Sequence, residues 1–249
     1  MNANPQETNP DQRLPRTRRR RWIVVAGLLC AVLGLTAACS SSSSSAPVTS
    51  PTSTSRPPGP GGGAGGGSNA RSGAAAGGSA GTVGAVSTSG FTLTTAAGQQ
   101  VTVTEASSTT HLNGTSSTTA SAVTQGANVL VLGTASGTTI TATQVIVQPA
   151  DSGGAAAATA AGVVPFQQGA PSTAKKVGQI PANYTEGEGA IVSGTAAKKA
   201  TEAALLAYPG GVVDRVVKLT SGEYEVHYIG VNWPHHDFVD TAFKVVGAF

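Results

Sequence analysis

Apolar and polar residues alternate from residue 81 to about 149, where valine, leucine and isoleucine are interleaved with threonine and serine. A period of two places successive side chains on opposite faces of a β-strand. Glycines between these runs supply the positive φ angles of tight turns. The pattern predicts five short strands, near Thr82–Ser87, Phe91–Thr95, Gln100–Glu105, Asn128–Ala135 and Thr139–Gln148. Five strands in so short a segment can close into a small barrel.

The pattern changes near Gly189, where a helix is followed by antiparallel strands. Apolar residues recur at helical spacing between 195 and 208, and Pro209-Gly210-Gly211 ends the helix. The apolar stripe consists of Ala197, Ala200, Ala204, Leu205 and Tyr208. Strands are predicted at 212–219 and 224–229, with a last pair near 237–240 and 243–246. The expected fold class is therefore mainly β plus α+β, the second module being one helix on an antiparallel sheet.

The N-terminus has the charge and hydropathy pattern of an export signal. Six arginines precede Trp22, and the apolar run from Trp22 to Ala38 carries no charge. Leu35-Thr36-Ala37-Ala38-Cys39 resembles a bacterial lipobox, in which small residues precede the cysteine that receives the lipid. The resemblance implies cleavage before Cys39 and a lipid anchor on the extracytoplasmic face of the cell membrane. The alternative is an uncleaved transmembrane helix, because the length of the apolar run lies at the lower limit for spanning a bilayer.

Two stretches have too little apolar surface to bury. Residues 39–80 and 150–188 consist largely of glycine, alanine, serine, threonine and proline. Such a composition does not offset the entropy lost on ordering, so both are predicted to be disordered linkers. The predicted order is a signal peptide (1–38), a lipid-anchored linker (39–80), a β-barrel (81–149), a second linker (150–188) and a C-terminal domain (189–249).

Charge and residue types exclude several classes of function. Without residues 1–38, nine lysines and arginines oppose ten acidic residues, so the basic balance belongs to the signal. No lysine or arginine occurs between 81 and 149, which argues against a nucleic-acid partner. Ser172-Thr173-Ala174-Lys175 matches an SxxK motif, but its companion motifs do not occur in the sequence. We therefore predict no catalytic residues, no cofactor and no enzymatic activity.

The turn and core positions of the first module form a recognisable pattern. They are Gly81–Val86, Phe91–Leu93, Gln125–Gly133 and Gly137–Val147. With them the module resembles the DUF5666 family, a small OB-like β-barrel of exported bacterial proteins. The resemblance implies a fold and not an activity. The exposed threonine and serine hydroxyls are either an inert surface or a contact for a carbohydrate or cell-wall polymer.

The second module carries a more specific series of motifs. In order along the chain they are Ala203-Ala204-Leu205, Pro209-Gly210-Gly211, Val213-Asp214-Arg215-Val216, Tyr224-Glu225-Val226-His227 and Phe243-Lys244-Val245-Val246-Gly247. This series resembles the PepSY domain over essentially all of residues 189–249. The departure lies at Gly230–His236, where relatives usually have a short polar turn. The resemblance implies a module that binds or restrains an extracytoplasmic peptidase or another envelope protein.

The candidate contacts for such a partner lie on the last strands and the loop between them. An exposed sheet edge can dock an extended segment by strand addition. Trp233 is either an anchor for the partner or a cover for one end of the core. The residues predicted to contact a partner are Trp233, Tyr224, Tyr228, His227 and His235.

Three histidines, His227, His235 and His236, raise the question of a metal site. On an extended chain His235 and His236 point to opposite faces, so only one of them is expected to join His227. Two histidines with Glu225 or Asp237 would hold zinc weakly. The favoured interpretation is therefore histidines without a metal ion, and no metal ligand is predicted.

These observations predict a lipoprotein that displays two small modules outside the cytoplasm. The first hypothesis is a non-catalytic interaction module that binds or restrains a cell-surface peptidase through the PepSY-like module. The alternative is a structural lipoprotein that binds a cell-wall or surface polymer through the threonine-rich barrel.

Overall fold

The computed structural model of the chain describes Met1, residues 73–167 and residues 178–249. The predicted signal segment after Met1, the lipid-attachment residue Cys39 and the linker up to residue 72 lie outside the described residues. The described residues from 73 onward belong to one compact unit. None of their helices combines the length and the apolar character needed to cross a membrane.

The described part of the chain is mostly β-sheet with few helices, which confirms the mainly β prediction. Its strands are β1 Ala75–Ser87, β2 Gly90–Thr95, β3 Gln100–Asn113, β4 Ser116–Thr118, β5 Asn128–Ser136, β6 Thr139–Gln148, β7 Val164–Pro165, β8 Ala190–Ile191, β9 Val212–Lys218, β10 Tyr224–Ile229, β11 Val231–Trp233, β12 His236–Val239 and β13 Val245–Ala248. Its α-helices are α1 Ala155–Ala160 and α2 Gly194–Ala207. A single turn of 3₁₀ helix lies at Ala120–Ala122.

The first half of the sheet closes on itself as a ring of five strands. Neighbours follow the order β1-β2-β3-β6-β5, and β5 pairs again with β1. β3 and β6 run parallel, whereas the other pairs in the ring are antiparallel. The five strands predicted from the alternating pattern are all present here. The ring is filled by their alternate apolar residues, among them Val83, Leu93, Val103, Val129 and Ile140.

β1 begins at Ala75, so residues 75–80 belong to the sheet and not to the predicted linker. In this stretch β1 pairs with β5 along its length and with β9 at Gly78 and Ser79. A Cβ atom on Gly77 would overlap the carbonyl oxygen of Val213 on β9. Only glycine lets these backbones approach so closely. The small residues that gave this segment the composition of a linker are therefore required by its packing.

The C-terminal part of the same sheet continues from β1 through β9, β10, β12 and β13. α2 covers one face of it, and the buried helix residues include four of the predicted stripe: Ala197, Ala200, Ala204 and Leu205. These alanines and the leucine pack in one core with Val213, Val216 and Val226 of the strands. The same core includes Leu130 and Leu132 of β5 in the ring. The two predicted modules therefore share a sheet and a hydrophobic core.

The predicted second linker contains ordered structure where it is described. β7 pairs with β11, and α1 precedes it. Tyr184 packs edge-on against Phe238, with 4.9 Å between the ring centroids. With Ile191 and Phe249 it covers the sheet face opposite α2. Residues 168–177 of the predicted linker lie outside the described residues.

Candidate functional site

The face of the C-terminal sheet opposite α2 carries an unusual set of buried polar side chains. Alternation along β10 turns Val226 towards the helix and Glu225 and His227 away from it. Cross-strand register then places Arg215 of β9 and His236 of β12 beside His227. The exposed fraction of these four polar side chains is 7% or less.

The backbone at His235 and His236 does not alternate as an extended strand does. The N–H groups of both residues donate to the carbonyl oxygen of Phe249, at 2.7 and 3.0 Å. Two consecutive N–H groups facing one acceptor is the arrangement of a β-bulge, in which successive side chains no longer point to opposite faces. The expectation that only one of the two could join His227 is therefore wrong.

The three imidazoles form one cluster. One potential ligand atom from each of His227, His235 and His236 lies within 4.8 Å of the other two. The Nε2 atoms of His227 and His235 are 3.1 Å apart. Ring centroids are separated by 4.5 to 5.0 Å in the three pairs. His227 and His236 are buried, whereas His235 is half-buried and forms the side of the cluster nearest to solvent.

Asp214 fixes the orientation of His227. The register of β9 and β10 shifts between His227 and Tyr228, and Asp214 is the extra residue at this irregularity. Its Oδ1 lies 2.5 Å from Nδ1 of His227, and its Oδ2 accepts a hydrogen bond from Arg215 at 2.9 Å. Burial alone would raise the pKa of Asp214, but the hydrogen bonds and positive charges of His227 and Arg215 lower it overall. Asp214 is therefore an ionised acceptor that directs Nε2 of His227 towards His235.

Glu225 lies at the other side of the cluster. Its carboxyl group is completely buried, with Oε1 3.5 Å from Nε2 of His236. Burial raises the pKa of Glu225 to about 7, although the Tyr184 hydroxyl and the charge of Arg215 oppose the shift. A carboxyl group with this pKa changes its charge near neutral pH.

Two of the predicted partner contacts lie in the core. Tyr224 and Tyr228 face α2 and are at most 8% exposed, so their rings offer no surface to a partner. The hydroxyl of Tyr228 donates to Oδ2 of Asp237 at 3.2 Å. Burial raises the pKa of Asp237 well above its usual range. Asp237 is thus on the opposite face from the histidines and cannot serve as their ligand.

Trp233 lines a groove at the end of the sheet. Its ring meets that of Tyr208 edge-on, at 5.4 Å between centroids. Both rings line a cavity of 230 Å³ beside β13. Nε1 of Trp233 is buried and has no hydrogen-bond acceptor among the described residues. This position is compatible with both predicted roles of Trp233, as an anchor for a partner and as a cover for the core.

The histidine cluster has the chemistry of a metal site more than that of an acid–base pair. Imidazole nitrogens are preferred ligands of zinc, copper and nickel. A carboxylate that orients a histidine also occurs in general bases, but those need open space beside the other ring nitrogen. Here that nitrogen faces a second imidazole. No family model, curated protein or solved structure matches the chain.

The sequence contained a signal for the residues that support this cluster. Asp214 and Arg215 stand in the middle of a strand that is otherwise almost entirely valine. Charged residues are almost never buried unless they are paired, so two charges in an otherwise apolar strand indicate buried ion pairs. Asp214 and Arg215 also belong to the family motif Val213-Asp214-Arg215-Val216, whereas Tyr184 lies in the predicted second linker, which gives no such signal.

Proposed function

We propose that the chain is a non-catalytic binding protein, lipid-anchored at Cys39 on the extracytoplasmic face of the cell membrane, that binds an extended segment of an extracytoplasmic peptidase beside β13. The observation that carries the proposal is the Trp233 indole, whose buried N–H has no acceptor among the described residues. A buried donor without an acceptor costs roughly 1–3 kcal/mol. A carbonyl oxygen of a bound segment would remove that cost once the groove opens at the indole, because the N–H is covered in the free chain.

The groove favours a short peptide segment over a small-molecule ligand. Its 230 Å³ is less than the roughly 300–1,000 Å³ typical of small-molecule pockets. The two aromatic rings and Val246, which is 38% exposed, favour an apolar side chain. Gly178 and Gln179 lie against the last residues of β13, so strand addition along the whole edge is obstructed there. The partner is therefore expected to insert one apolar residue and to offer a backbone carbonyl to Trp233.

Photo-crosslinking on intact cells tests this location. A photoreactive amino acid replaces Val246 beside the groove or, as the matched control, Val86 in the ring, which is 51% exposed. Truncation is unsuitable because β9 and α2 pack on the ring. We expect an extracytoplasmic peptidase to be recovered from position 246 and not from position 86. Equal recovery from both positions, or none from 246, contradicts the proposal.

A substitution at Trp233 tests whether its N–H takes part in binding. Trp233→Phe keeps an aromatic ring, removes the N–H donor and leaves a smaller ring in the groove. We expect it to weaken binding of the recovered peptidase at least tenfold, and to relieve any inhibition that the wild-type chain exerts on its activity. Tyr224→Phe, which removes a hydroxyl from a buried ring facing α2, is the control and should bind as the wild type does. If Trp233→Phe also binds as the wild type does, the groove is not the docking site.

A second candidate function rests on the threonines of the ring. Cross-strand register aligns exposed or half-exposed hydroxyls in two rows across β2, β3, β6 and β5. The first row is Thr92, Thr102, Thr139 and Ser136, and the second is Thr104, Thr141 and Thr134. Neighbouring strands lie about 4.8 Å apart, and alternate residues repeat about every 6.7 Å. Such a grid of donors and acceptors suits the hydroxyl groups of a surface polysaccharide.

Isosteric substitution tests the polymer hypothesis. Thr102→Val combined with Thr141→Val removes two central hydroxyls and keeps the shape of the strands. We expect the pair to lose retention on purified cell-wall polymer, whereas Thr220→Val in the exposed turn after β9 leaves it unchanged. Retention that survives the double substitution excludes the hydroxyl rows as the contact.

A further inference from the structure

We propose that His227, His235 and His236 bind one divalent transition-metal ion of the zinc class, with Asp214 as the positioning residue for His227. This proposal does not depend on the groove or on its partner. It rests on the convergence of three imidazoles from two strands and the bulge before β12. Three histidines with an open fourth position for water is an established zinc coordination.

The distances are close to those that a metal ion requires. Zinc bonds imidazole nitrogen at about 2.0–2.1 Å, which separates two ligand nitrogens by about 3.3 Å in a tetrahedral site. The Nε2 atoms of His227 and His235 are 3.1 Å apart. All three ligand atoms lie within 4.8 Å of one another, so a contraction of at most about 1.5 Å brings the widest pair to the spacing of a tetrahedral site.

The backbone around the cluster is already held in place. His235 and His236 donate to the carbonyl of Phe249, and the N–H of Phe249 donates back to His236 at 2.8 Å. The carbonyl of His235 accepts from the N–H of Tyr228, also at 2.8 Å. These bonds join Phe249, the bulge and β10. Ligands held in this way lose little conformational entropy when they bind an ion.

The tautomer of His227 suits a ligand. Nδ1 faces the Asp214 carboxylate at 2.5 Å, so this nitrogen carries the proton and Nε2 offers its lone pair to the cluster. A carboxylate behind a ligating histidine fixes the ring and increases its basicity. Arg215 is the opposing charge, but its guanidinium is directed to the other oxygen of Asp214 at 2.9 Å. The site therefore combines three imidazole donors with one carboxylate behind His227.

Direct titration tests the site. Untagged full-length chain, stripped with a chelator, is titrated with zinc chloride in a calorimeter, because a histidine tag would itself bind the ion. We expect saturable binding of one ion per chain. Absence of saturable binding overturns the proposal.

Matched histidine variants test the location. His235→Ala is the principal variant because His235 is the least buried of the three, and it should weaken zinc binding at least tenfold. His111→Ala is the control: this histidine also pairs with a carboxylate, Glu105, at 2.7 Å, but it lies on β3 in the ring. We expect its zinc affinity to equal that of the wild type. Equal losses in the two variants, or none in His235→Ala, contradict the assignment.

Asp214→Asn tests the positioning role with readouts that a loss of folding cannot imitate. The variant keeps the shape of the side chain, and we expect a 10- to 100-fold loss of affinity with unchanged circular dichroism. Cobalt bound to the wild type should show the intense visible absorption of a four-coordinate ion, and the band should shift in Asp214→Asn. A weak six-coordinate spectrum in the wild type rules out the proposed geometry. Unaltered affinity and spectrum in the variant rule out the role of Asp214.

Discussion

The five-stranded ring and the C-terminal part of the sheet are continuous, but they bury different kinds of side chain. In the described part of the ring the buried polar residues are hydroxyl-bearing: Ser79, Thr95 and Thr109. In the C-terminal part they include Arg215, Glu225, His227, His236 and Asp237. Burial of ionisable groups is costly unless each is paired. The ring thus has the burial pattern of a scaffold, and the C-terminal sheet that of a functional site.

Each region contains a histidine within 3 Å of a carboxylate, and these two pairs differ in their surroundings. His111 and Glu105 of β3 are 2.7 Å apart. His227 and Asp214 are 2.5 Å apart, and two further imidazoles converge on the same histidine. A histidine–carboxylate pair is therefore not in itself a functional site. The convergence of further ligands on its other nitrogen is what distinguishes the C-terminal region.

The largest expected effect is at the junction of the two regions. Gly77→Val places a side chain against the Val213 carbonyl, so β9 must separate from β1. We expect the free energy of unfolding to fall by more than about 3 kcal/mol, measured by urea denaturation followed by circular dichroism. Gly154→Ala is the control because a Cβ there meets no atom within 4 Å and φ is −84°. If both variants lose the same small amount, the close approach at Gly77 does not hold the regions together.

Glu225 is expected to make the C-terminal region the pH-sensitive one. Burial raises its pKa from 4.5 to about 7, so between these values the folded state holds a proton that the unfolded state has lost. Stability contributed by this group therefore falls as the pH rises through that window. The difference in the free energy of unfolding between Glu225→Gln and wild type should increase by up to about 3 kcal/mol, in favour of the variant, as the pH rises from 4.5 to 7. Above pH 7 the difference should stay constant.

The measurement is a series of denaturation curves across that pH range. The raised pKa of Asp237 acts in the same direction in both proteins and cancels from the difference. The groups around Glu225 are Tyr184, Glu186, Glu188, Arg215 and His236, and all are kept. The control is Glu105→Gln, which makes the same substitution at a carboxylate of the ring. Indistinguishable pH profiles for the two variants would refute the special position of Glu225.

Local patterns predicted the five ring strands, α2 and the longer C-terminal strands, but not the short strands β4, β8 and β11 or the way the two regions join. The period of two located the ring strands, and β10 was predicted with the bounds that the structure has, Tyr224–Ile229. The start of β1 depends on Gly77 and Gly78 lying against β5 and β9, two strands that are distant from it along the chain. A long-range close approach leaves no local period, and the glycines that permit it look like linker residues.

The candidate site was predictable only in part, because it too depends on contacts between residues that are distant along the chain. Alternation predicts that Glu225 and His227 share one face of β10, and in the structure this face is turned away from α2. The convergence of His235 and His236 depends on one backbone oxygen, that of Phe249, which accepts from both. A bulge set by such a partner cannot be inferred from the spacing of the histidines.

Zinc should stabilise the folded protein through the C-terminal histidines, and this stabilisation should not depend on His111 of the ring. At 100 times the dissociation constant, an ion that binds only the folded state raises the free energy of unfolding by about 2.7 kcal/mol. We expect this gain in wild type and in His111→Ala, and its loss in His235→Ala, measured by denaturation with and without zinc chloride. A gain that persists in His235→Ala would locate the ion elsewhere.

The smallest expected effect comes from two serines of β1 that differ in burial but donate hydrogen bonds of equal length. Ser79 at the junction is completely buried, and its hydroxyl donates to the Gly211 carbonyl at 2.9 Å. Ser87 at the other end of β1 is exposed, and its hydroxyl donates to the Gly90 carbonyl, also at 2.9 Å. Ser79→Ala should lower the free energy of unfolding by about 1 kcal/mol, and Ser87→Ala by less than about 0.5 kcal/mol. Because the two bonds have equal lengths in one strand, equal losses would show that the burial of Ser79 adds nothing to the stability of the junction.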